Sequence, residues 1–298
     1  MTAKEAADRV TAGLRLSVVG PTVADMECEV VTIGGTGTIG SRVTAQLRAR
    51  GVEARPASRR TTVPFDWAEA STWWVALDGV ERIHILLPER TAIPTGFLDE
   101  AWRAGVRRVV LSSDYAVDLM SVAHLQDAER QMRLTSFEWV FVRPNWFNQD
   151  FETFFLEPIR RGRVLVPVGD TRQGFVDADD IAAVTVEALL RSDLIGETLT
   201  LTGPRALTFN EALTAIESVA GHHVEFDGTP KGYRDHVEAQ GMDSREVERL
   251  LGGFASLVAD GDCVPTTDVQ DITGRPARDF RDYVKAVAAL GIWSAGQD

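Results

Sequence analysis

The feature that most constrains the fold is a glycine-rich loop between a short apolar run and an amphipathic segment. The loop, Gly34-Gly35-Thr36-Gly37-Thr38-Ile39-Gly40, follows Val30-Val31-Thr32-Ile33. Gly34 permits a tight turn, Gly37 lets the backbone approach a pyrophosphate, and Gly40 lets the next helix pack close to the strand. The start of that helix offers unpaired N–H groups to phosphates. The pattern favours a dinucleotide-binding unit; a plain turn in another kind of α/β protein is the alternative.

The alternation of strand-like and helix-like segments after the loop indicates the fold class. Helical spacing of apolar residues marks 41–50, 71–77, 94–104 and 121–134, and β-rich runs mark 52–57, 83–87, 107–112 and 138–142. Such alternation predicts right-handed crossovers and a parallel sheet covered by helices on both faces. We therefore expect an α/β fold with a Rossmann-type doubly wound parallel sheet.

The regular alternation of predicted strands and helices ends after Arg143-Pro144, and this suggests how the chain is divided into domains. Residues 1–25 are predicted to be an N-terminal extension and residues 26–150 a dinucleotide-binding Rossmann domain. Residues 151–298 are expected to form a smaller C-terminal substrate lobe on the carboxyl edge of the sheet. Its predicted elements are helices at 178–191, 208–220 and 232–259 and strands at 198–202 and 223–226.

The charge of the chain argues against two classes of partner. Its 298 residues hold 31 Lys and Arg against 44 Asp and Glu, a formal net charge of −13. Such a chain repels nucleic-acid backbones and anionic membranes. No apolar run is long enough to span a bilayer, and the N-terminus lacks the pattern of a secretory signal. We expect a small-molecule substrate, no nucleic-acid or membrane partner, and a monomer or homodimer.

The cysteine and histidine content bears on the compartment and on metals. Cys28 and Cys263 are the two cysteines, without CxxC spacing, so no disulfide framework is expected and a cytoplasmic location is the default. The adjacent residues His222 and His223 would point to opposite faces of a strand. No metal site is predicted.

The residues at the end of the second strand bear on the choice of cofactor. An NAD-specific site places a carboxylate there, which accepts a hydrogen bond from the ribose 2′-hydroxyl. This chain has Ala57-Ser58-Arg59-Arg60 instead, and a guanidinium suits a 2′-phosphate. Arg59 therefore predicts NADPH as the cofactor. Solvated surface charge is the alternative, and it suits Arg60 better than Arg59.

Several motifs together resemble one known family. They are the glycine loop, Ala57-Ser58-Arg59, Phe65-Asp66-Trp67, Arg143-Pro144-Asn145-Trp146-Phe147-Asn148-Gln149 and the stretch from Phe175 to Ala182. Over about residues 27–292 the chain resembles the NmrA-like branch of atypical short-chain dehydrogenases, and its 143–149 stretch is similar to festuclavine synthases and agroclavine dehydrogenases. The resemblance implies NADPH-dependent reduction of iminium or related C=N bonds. Wider relatives include quinone reductases, aromatic ether reductases and catalytically inert dinucleotide sensors.

The resemblance also implies which residues contact the cofactor. These residues lie in the glycine loop and at the ends of three strands: Gly34, Thr36, Gly37, Thr38, Ile39, Arg59, Leu87 and Ser112. Asp66 matches a segment near the adenine. Gly40 and Ser58, in the same loop and strand end, complete the predicted cofactor-binding set.

The distribution of lysine argues against the usual ketone-reductase mechanism. Ordinary short-chain dehydrogenases use a Tyr-x-x-x-Lys pair, in which the lysine lowers the tyrosine pKa. Here lysine occurs only at Lys4, Lys231 and Lys285, and the residue four positions after Tyr115 is Leu119. An iminium becomes a neutral amine when it accepts hydride, so that reaction needs no proton donor.

The candidates for chemistry lie after two predicted strands. His124, with an ordinary pKa near 7, and Tyr115 are the candidate catalytic residues; a structural histidine and a pocket-wall tyrosine are the alternatives. The candidate substrate-binding residues are Ser113, Asn145, Trp146, Phe147 and Phe151. Ordinary core beneath the second lobe is the alternative for the aromatic ones. The acids at 177–180 are interpreted as helix caps.

Two functions from different classes fit these observations. The first is an NADPH-dependent reductase that acts on a small or mid-sized apolar acceptor without a Tyr-Lys pair, with an imine or iminium favoured over a quinone or enone. The second is a non-catalytic redox sensor that binds a dinucleotide and regulates a protein partner. The aromatic stretch 146–155 favours the enzyme, because a sensor needs no substrate pocket.

Overall fold

The computed structural model of the protein describes residues 29–294. The extension predicted for residues 1–25 and the predicted domain start at Met26 lie outside the described residues. Within them, helices cover both faces of a parallel sheet, and a smaller C-terminal part rests on its carboxyl edge. The predicted fold class is therefore confirmed.

Two sheets contain all the strands of the described residues. In chain order the strands are β1 (Val30–Ile33), β2 (Ala54–Ala57), β3 (Arg82–Leu86), β4 (Arg108–Ser112), β5 (Glu138–Pro144), β6 (Arg163–Leu165), β7 (Thr198–Leu201) and β8 (Glu225–Asp227). The large sheet has the order β2-β1-β3-β4-β5-β7 and is parallel throughout; β6 and β8 pair separately. Because β2 and β3 flank β1 on opposite sides, the sheet has its switch point at β1, where such folds bind ligands.

The helices follow the predicted order in the first half of the chain. They are α1 (Thr38–Ala49), α2 (Ser71–Leu77), α3 (Phe97–Ala104), α4 (Ala123–Arg133), α5 (Leu156–Arg160), α6 (Ala178–Leu190), α7 (Phe209–Ala220), α8 (Pro230–Ala239), α9 (Ser244–Asp260), α10 (Asp268–Thr273) and α11 (Phe280–Ala288). A 3-10 helix spans Asn148–Glu152. Gly51 follows α1 with φ +78°, as expected of a glycine that ends a helix.

The two faces of the sheet are buried because successive strand residues point to opposite sides. In β1, Val30 packs in the layer formed by α1 and α6, whereas Val31 packs in the layer formed by α2, α3 and α4. Both valines are fully buried. Each such side chain contributes about 1.5–3 kcal/mol to folding, and together these contacts hold the carboxyl ends of the strands in one row.

The smaller C-terminal part has an aromatic core of its own. Phe151, Phe155, Phe209 and Tyr283 are buried in it. The single helical stretch predicted for 232–259 is in fact two helices, α8 and α9. Asp243 N-caps α9 by accepting a hydrogen bond from the Arg245 N–H at 2.9 Å. Helices α10 and α11 were not predicted.

The sheet domain draws on segments from both sides of residue 150. Strand β7 pairs with β5 in the large sheet, and α6 packs against α1. The predicted division placed everything after residue 150 in the smaller lobe. Residues 178–201 belong to the sheet domain instead. Strand β7 pairs with the edge of β5, and α6 buries the apolar residues beside α1.

Of the acids interpreted from the sequence as caps of α6, Asp177 is the one that caps the helix, and Asp180 has other partners. Asp177 accepts a hydrogen bond from the Asp179 N–H at 2.9 Å. Asp180 is buried and accepts from the Arg278 N–H at 2.7 Å, and Arg275 pairs with it. These carboxylates thus tie α6 to the segment before α11. Among residues 29–294, no helix combines the length and apolar character needed to span a membrane.

Candidate active site

The glycine loop after β1 has the geometry of a phosphate-binding turn. Gly34 has φ +81°, which favours glycine. A Cβ on Gly40 would lie 2.4 Å from the Gly34 carbonyl oxygen, and one on Gly35 would lie 2.6 Å from Pro56. The need for glycine at position 35, imposed by the neighbouring strand β2, was not anticipated. At Gly37, by contrast, a Cβ would contact only the Gly34 carbonyl oxygen, at 3.4 Å, so its outer side is open.

The start of α1 is free to receive an anion. Gly37 is its N-cap and makes no side-chain hydrogen bond, and no acidic residue lies in the first turn. The helix dipole and the first N–H groups, including those of Thr38 and Ile39, therefore favour a phosphate. The Ile39 side chain is buried in the core, so this residue can contact a ligand only through its backbone. Thr36 is exposed at the tip of the loop.

A pocket of about 510 Å³ opens beside this loop at the ends of β1, β2 and β3. It brings together four predicted cofactor residues: Gly34, Ser58, Arg59 and Asp66. Leu86 and Pro88 line it as well, whereas the predicted Leu87 is 7% exposed and belongs to the core. The strand pattern could have distinguished Leu86 from Leu87, because neighbouring residues of a strand point to opposite faces of the sheet.

The two arginines after β2 occupy different surroundings. Arg59 lines the pocket, and Arg60 does not. Both are exposed, and neither forms an ion pair within residues 29–294. A guanidinium beside the pocket with no carboxylate partner is available to an anionic ligand.

A second pocket, of about 290 Å³, lies at the ends of β4 and β5; we call it the substrate pocket. It is lined by Asp114, Tyr115, Ala116, Met120, Pro144, Asn145, Trp146, Phe147, Asp150, Gln173, Phe254 and Leu257. Four predicted residues are therefore together there: Tyr115, Asn145, Trp146 and Phe147. Ser113 and Phe151 are not among them; both are buried, Phe151 within the aromatic core.

Asp114 and Asp150 line the pocket, although neither is among the residues predicted to bind the substrate or to be catalytic. Asp114 accepts a hydrogen bond from the Ala116 N–H at 2.6 Å, and Asp150 accepts one from the Phe147 N–H at 3.0 Å. Burial raises the pKa of Asp114, and burial followed by the charge of Asp114 raises the pKa of Asp150 to about 6. Only the tertiary structure reveals this pair, because the two carboxyls come from different strand ends.

Tyr115 lies in an environment that keeps its phenol protonated. Burial, and then the neighbouring Cys263, raise the pKa of Tyr115 to about 12. Its hydroxyl hydrogen-bonds with the Cys263 thiol, which also accepts from Asn145 Nδ2 at 3.6 Å. No cation lowers this pKa, in contrast to a Tyr-Lys pair. Tyr115 is thus suited to form a wall of the pocket.

His124 faces a different pocket from Tyr115. This third pocket, of about 380 Å³, is also lined by Glu89, Arg90 and Glu246. Burial lowers the pKa of His124, an effect that the charge of Glu89 opposes. The imidazole is therefore neutral at pH 7. Met120 lines both pockets and separates the two predicted catalytic residues.

Helix α9 contributes lining residues to both pockets. Glu246 and Leu250 line the third pocket, and Phe254 and Leu257 line the substrate pocket. Residues spaced by three and four positions share one face of a helix. One face of α9 therefore forms part of the wall of both pockets.

The predicted residues Ser112 and Ser113 are held by buried partners. The hydroxyl of Ser112 lies 2.8 Å from His84 Nε2, and the hydroxyl of Ser113 donates to Glu129 Oε1 at 2.6 Å. Glu129 also accepts two hydrogen bonds from Arg143, at 2.9 and 2.6 Å. Burial opposes the ionisation of Glu129, but Arg143 and Ser113 outweigh it and hold the pKa of Glu129 below its usual range. This network joins the ends of β4 and β5 beneath the substrate pocket.

Several curated relatives of the chain have names that describe oxidoreductases. The oxidoreductase YesF of Bacillus subtilis is 32% identical over 278 residues, 87% of this chain and 95% of that protein. The NAD(P)H azoreductase of Xenophilus azovorans is 28% identical over 283 residues, with coverages of 87% and 98%. The agroclavine dehydrogenase of Claviceps fusiformis is 27% identical over 242 residues, 74% of this chain and 81% of that protein. The predicted family is thereby confirmed, and agroclavine dehydrogenases are among its relatives, as the resemblance implied.

Solved structures share the fold. The crystal structure of an NADPH-dependent quinone oxidoreductase of Escherichia coli, complexed with NADPH, matches with a TM-score of 0.73 at 15% identity and covers 87% of this chain and 99% of that chain. No protein-family model matches the chain. No cluster of three or more metal-ligating side chains occurs in the described part of the chain.

Proposed function

Because the chain belongs to the NmrA-like branch of atypical short-chain dehydrogenases, a family of NAD(P)H-dependent oxidoreductases, we propose that it reduces a small or mid-sized apolar imine or iminium with NADPH. One observation carries this proposal: the substrate pocket combines aromatic walls with two carboxyls, and within the described residues no lysine or arginine lines it. The sensor alternative accounts for neither the pocket nor the relatives named reductases.

The charge of the substrate pocket favours a nitrogen acceptor over an oxygen acceptor. Hydride addition to a quinone or enone develops negative charge, which Asp114 and Asp150 would oppose. Hydride addition to an iminium removes a positive charge, and carboxylates and the aromatic face of Trp146 attract that cation before it reacts. The same groups therefore favour an imine or iminium.

The glycine loop and the pocket beside it fit a dinucleotide. The loop backbone and the start of α1 would hold the pyrophosphate, Asp66 lies where an adenine would be bound, and Arg59 would pair with a 2′-phosphate. When bound, the reduced nicotinamide supplies the hydride. The chain itself would orient the acceptor between Tyr115 and Trp146, with α9 forming one wall of the pocket.

Replacing Arg59 with alanine tests the preference for NADPH. The variant loses one charge-assisted pair, so its affinity for NADPH should fall relative to NADH by roughly tenfold to a hundredfold. Fluorescence titration of both reduced dinucleotides measures the two dissociation constants. Arg60→Ala is the matched control, because it removes the same charge one position away from the pocket. An unchanged ratio in Arg59→Ala, or an equal change in Arg60→Ala, would refute the assignment.

A methyl group on Gly37 separates binding from folding. Its Cβ would meet only the Gly34 oxygen, so Gly37→Ala should keep the thermal midpoint of the protein. The methyl group would nevertheless occupy the space that a pyrophosphate needs, so NADPH affinity should fall by at least about tenfold. Gly40→Ala is the contrast, because its Cβ would overlap the Gly34 oxygen and lower both stability and affinity. Full NADPH affinity in Gly37→Ala would contradict a phosphate site here.

Turnover is tested with NADPH that carries deuterium at C4 of the nicotinamide ring. Incubation with cyclic imines, iminium salts, quinones and enones, followed by mass spectrometry, should find label in amine products and little in the oxygen acceptors. Label confined to quinones or enones would overturn the proposed substrate class. Absence of label from every product would overturn the reductase proposal.

A further inference from the structure

Two carboxyls from different strand ends line the substrate pocket. Asp114 follows β4, and Asp150 lies in the 3-10 helix after β5. One oxygen of each is held by a backbone N–H, and no hydrogen bond within residues 29–294 engages the other. The carboxyls also repel each other electrostatically. Two such groups with little solvent around them retain a proton more readily than either would alone.

Burial raises the pKa of both carboxyls, but their other neighbours differ. Asp114 accepts the shorter backbone hydrogen bond, 2.6 Å against 3.0 Å, and Arg143 adds a positive charge near it. Asp150 has no cation among its interacting groups, which are Asp114 and, on α11, Tyr283. Glu152 and Asp177 interact with the same tyrosine. These neighbours are acids or a neutral phenol, so they favour the neutral form of Asp150.

We propose that Asp150 is the proton donor of the reaction and that the substrate enters as a neutral imine. The Asp150 O–H bond breaks, an N–H bond forms on the imine nitrogen, and this step gives an iminium beside the Asp150 carboxylate. Hydride from the reduced dinucleotide then adds to the iminium carbon, and solvent returns a proton to Asp150. This inference rests on the proposed imine reduction and deepens it by naming the donor.

The proposal agrees with the two predicted donors being unsuited to the task. Tyr115 has its pKa raised to about 12, and the neutral His124 faces another pocket. A carboxyl with a pKa of about 6 holds a proton in a useful share of molecules near neutral pH. Once Asp150 has given up its proton, its own carboxylate attracts the iminium while that cation exists.

The test compares two substrates with one skeleton: the weakly basic imine 2,3,3-trimethylindolenine and its N-methyl iminium salt. Only the first needs a proton. Asp150→Asn should lower kcat/KM for the imine by about 100- to 10,000-fold and for the iminium salt by at most about tenfold. Asparagine keeps an oxygen for the Phe147 N–H, so the fold is retained. Asp99→Asn, at an exposed site that lines none of the three pockets, is the matched control.

The pH dependence gives a second readout. With the neutral imine, kcat/KM of the wild type should fall as pH rises through about 6, because Asp150 loses its proton. Asp114→Asn removes the neighbouring charge, lowers the pKa of Asp150 and should move that fall to lower pH. The iminium salt should show no such fall. A fall at the same pH in Asp114→Asn would overturn the proposed coupling.

A direct titration separates this proposal from the proposed function. Infrared difference spectra of the apoprotein in D2O should show a carboxylic-acid band that titrates near pD 6 and is absent from Asp150→Asn. If the band persists in Asp150→Asn, or if kcat/KM of that variant falls equally for both substrates, Asp150 is not the donor and the proposed imine reduction stands. If the wild type reduces neither compound, both the proposed reaction and proton donation fail.

Discussion

Replacing Glu129 with glutamine is expected to lower the free energy of unfolding by about 3–5 kcal/mol, because it leaves a shielded guanidinium without its main partner. The Glu129 side chain is 2% exposed and that of Arg143 is 18% exposed. The carboxylate accepts from Arg143 Nε at 2.9 Å and from Arg143 Nη2 at 2.6 Å. In glutamine an NH2 group replaces one of the two carboxylate oxygens, so its N–H groups would face an N–H group of Arg143 instead of accepting from it. The other ion pair of Arg143 is with an exposed carboxylate, that of Asp118, at 3.1 Å.

The matched control for this variant is Glu138→Gln. Glu138 pairs with Arg108 at 2.8 Å, but its own side chain is 45% exposed. Arg108 keeps hydrogen bonds to the carbonyl oxygens of Leu189 and Arg191, at 3.1 and 3.0 Å. Loss of this pair should cost less than about 1 kcal/mol. Urea unfolding followed by circular dichroism at pH 7 gives both values, and equal losses in the two variants would contradict a special role for the buried network.

The Glu129 variant should also lose activity beyond its loss of stability. Ser113 donates to Glu129 at 2.6 Å and directly precedes Asp114 and Tyr115 in the substrate pocket. Without this anchor the turn after β4 is held less firmly. Glu129 acts here as a positioning residue, so kcat/KM should fall at temperatures where the variant is fully folded.

His84 is expected to make the protein lose about 1.4 kcal/mol of unfolding free energy for each pH unit below about 6.5. The imidazole is fully buried in the central strand β3, and burial lowers the pKa of His84 to about 3. In the unfolded chain it binds a proton below about pH 6.5, whereas the folded protein keeps it neutral. The free energy of unfolding is therefore unaffected by this histidine above about pH 6.5. It decreases as the pH falls towards 3, by about 4–5 kcal/mol in all.

His84→Gln is expected to reduce the fall in the free energy of unfolding at acid pH. The glutamine side chain can still hydrogen-bond with Ser112, whose hydroxyl lies 2.8 Å from His84 Nε2, but it does not titrate. Urea unfolding between pH 5 and pH 8 should give a difference between wild type and variant that shrinks as pH falls. His236→Gln, at an exposed site on α8, should follow the wild type. Parallel curves for wild type and His84→Gln would show that another group controls acid unfolding.

Local pattern was sufficient for the sheet domain and insufficient for the lobe. The segments that became β1, α1 and β3 were predicted because an apolar pattern in each is followed closely by a glycine or proline. Helix α11 was missed, although its first residues after Asp279 form a capped start. Its apolar face is complementary to α7 across the lobe, and no local signal reports such a partner.

The candidate site divides in the same way. The cofactor pocket depends on a contiguous loop and on one strand end, so the sequence pointed to Gly34, Ser58 and Arg59 together. The substrate pocket depends on which side chains of an aromatic run face inwards. Trp146 and Phe147 line it, Phe151 is core, and Phe154 is 74% exposed. Spacing within an irregular segment does not determine these orientations.

The sequence by itself determined the fold class, the family, the dinucleotide loop and the absence of a Tyr-Lys pair. Each follows from residues close together in the chain or from residue types that the chain lacks. Only the tertiary structure decided that His124 and Tyr115 face different pockets and that Asp114 and Asp150 share one. The physical reason is that burial and the distance between charges control a carboxyl's proton affinity, and both arise from contacts between segments far apart in the chain.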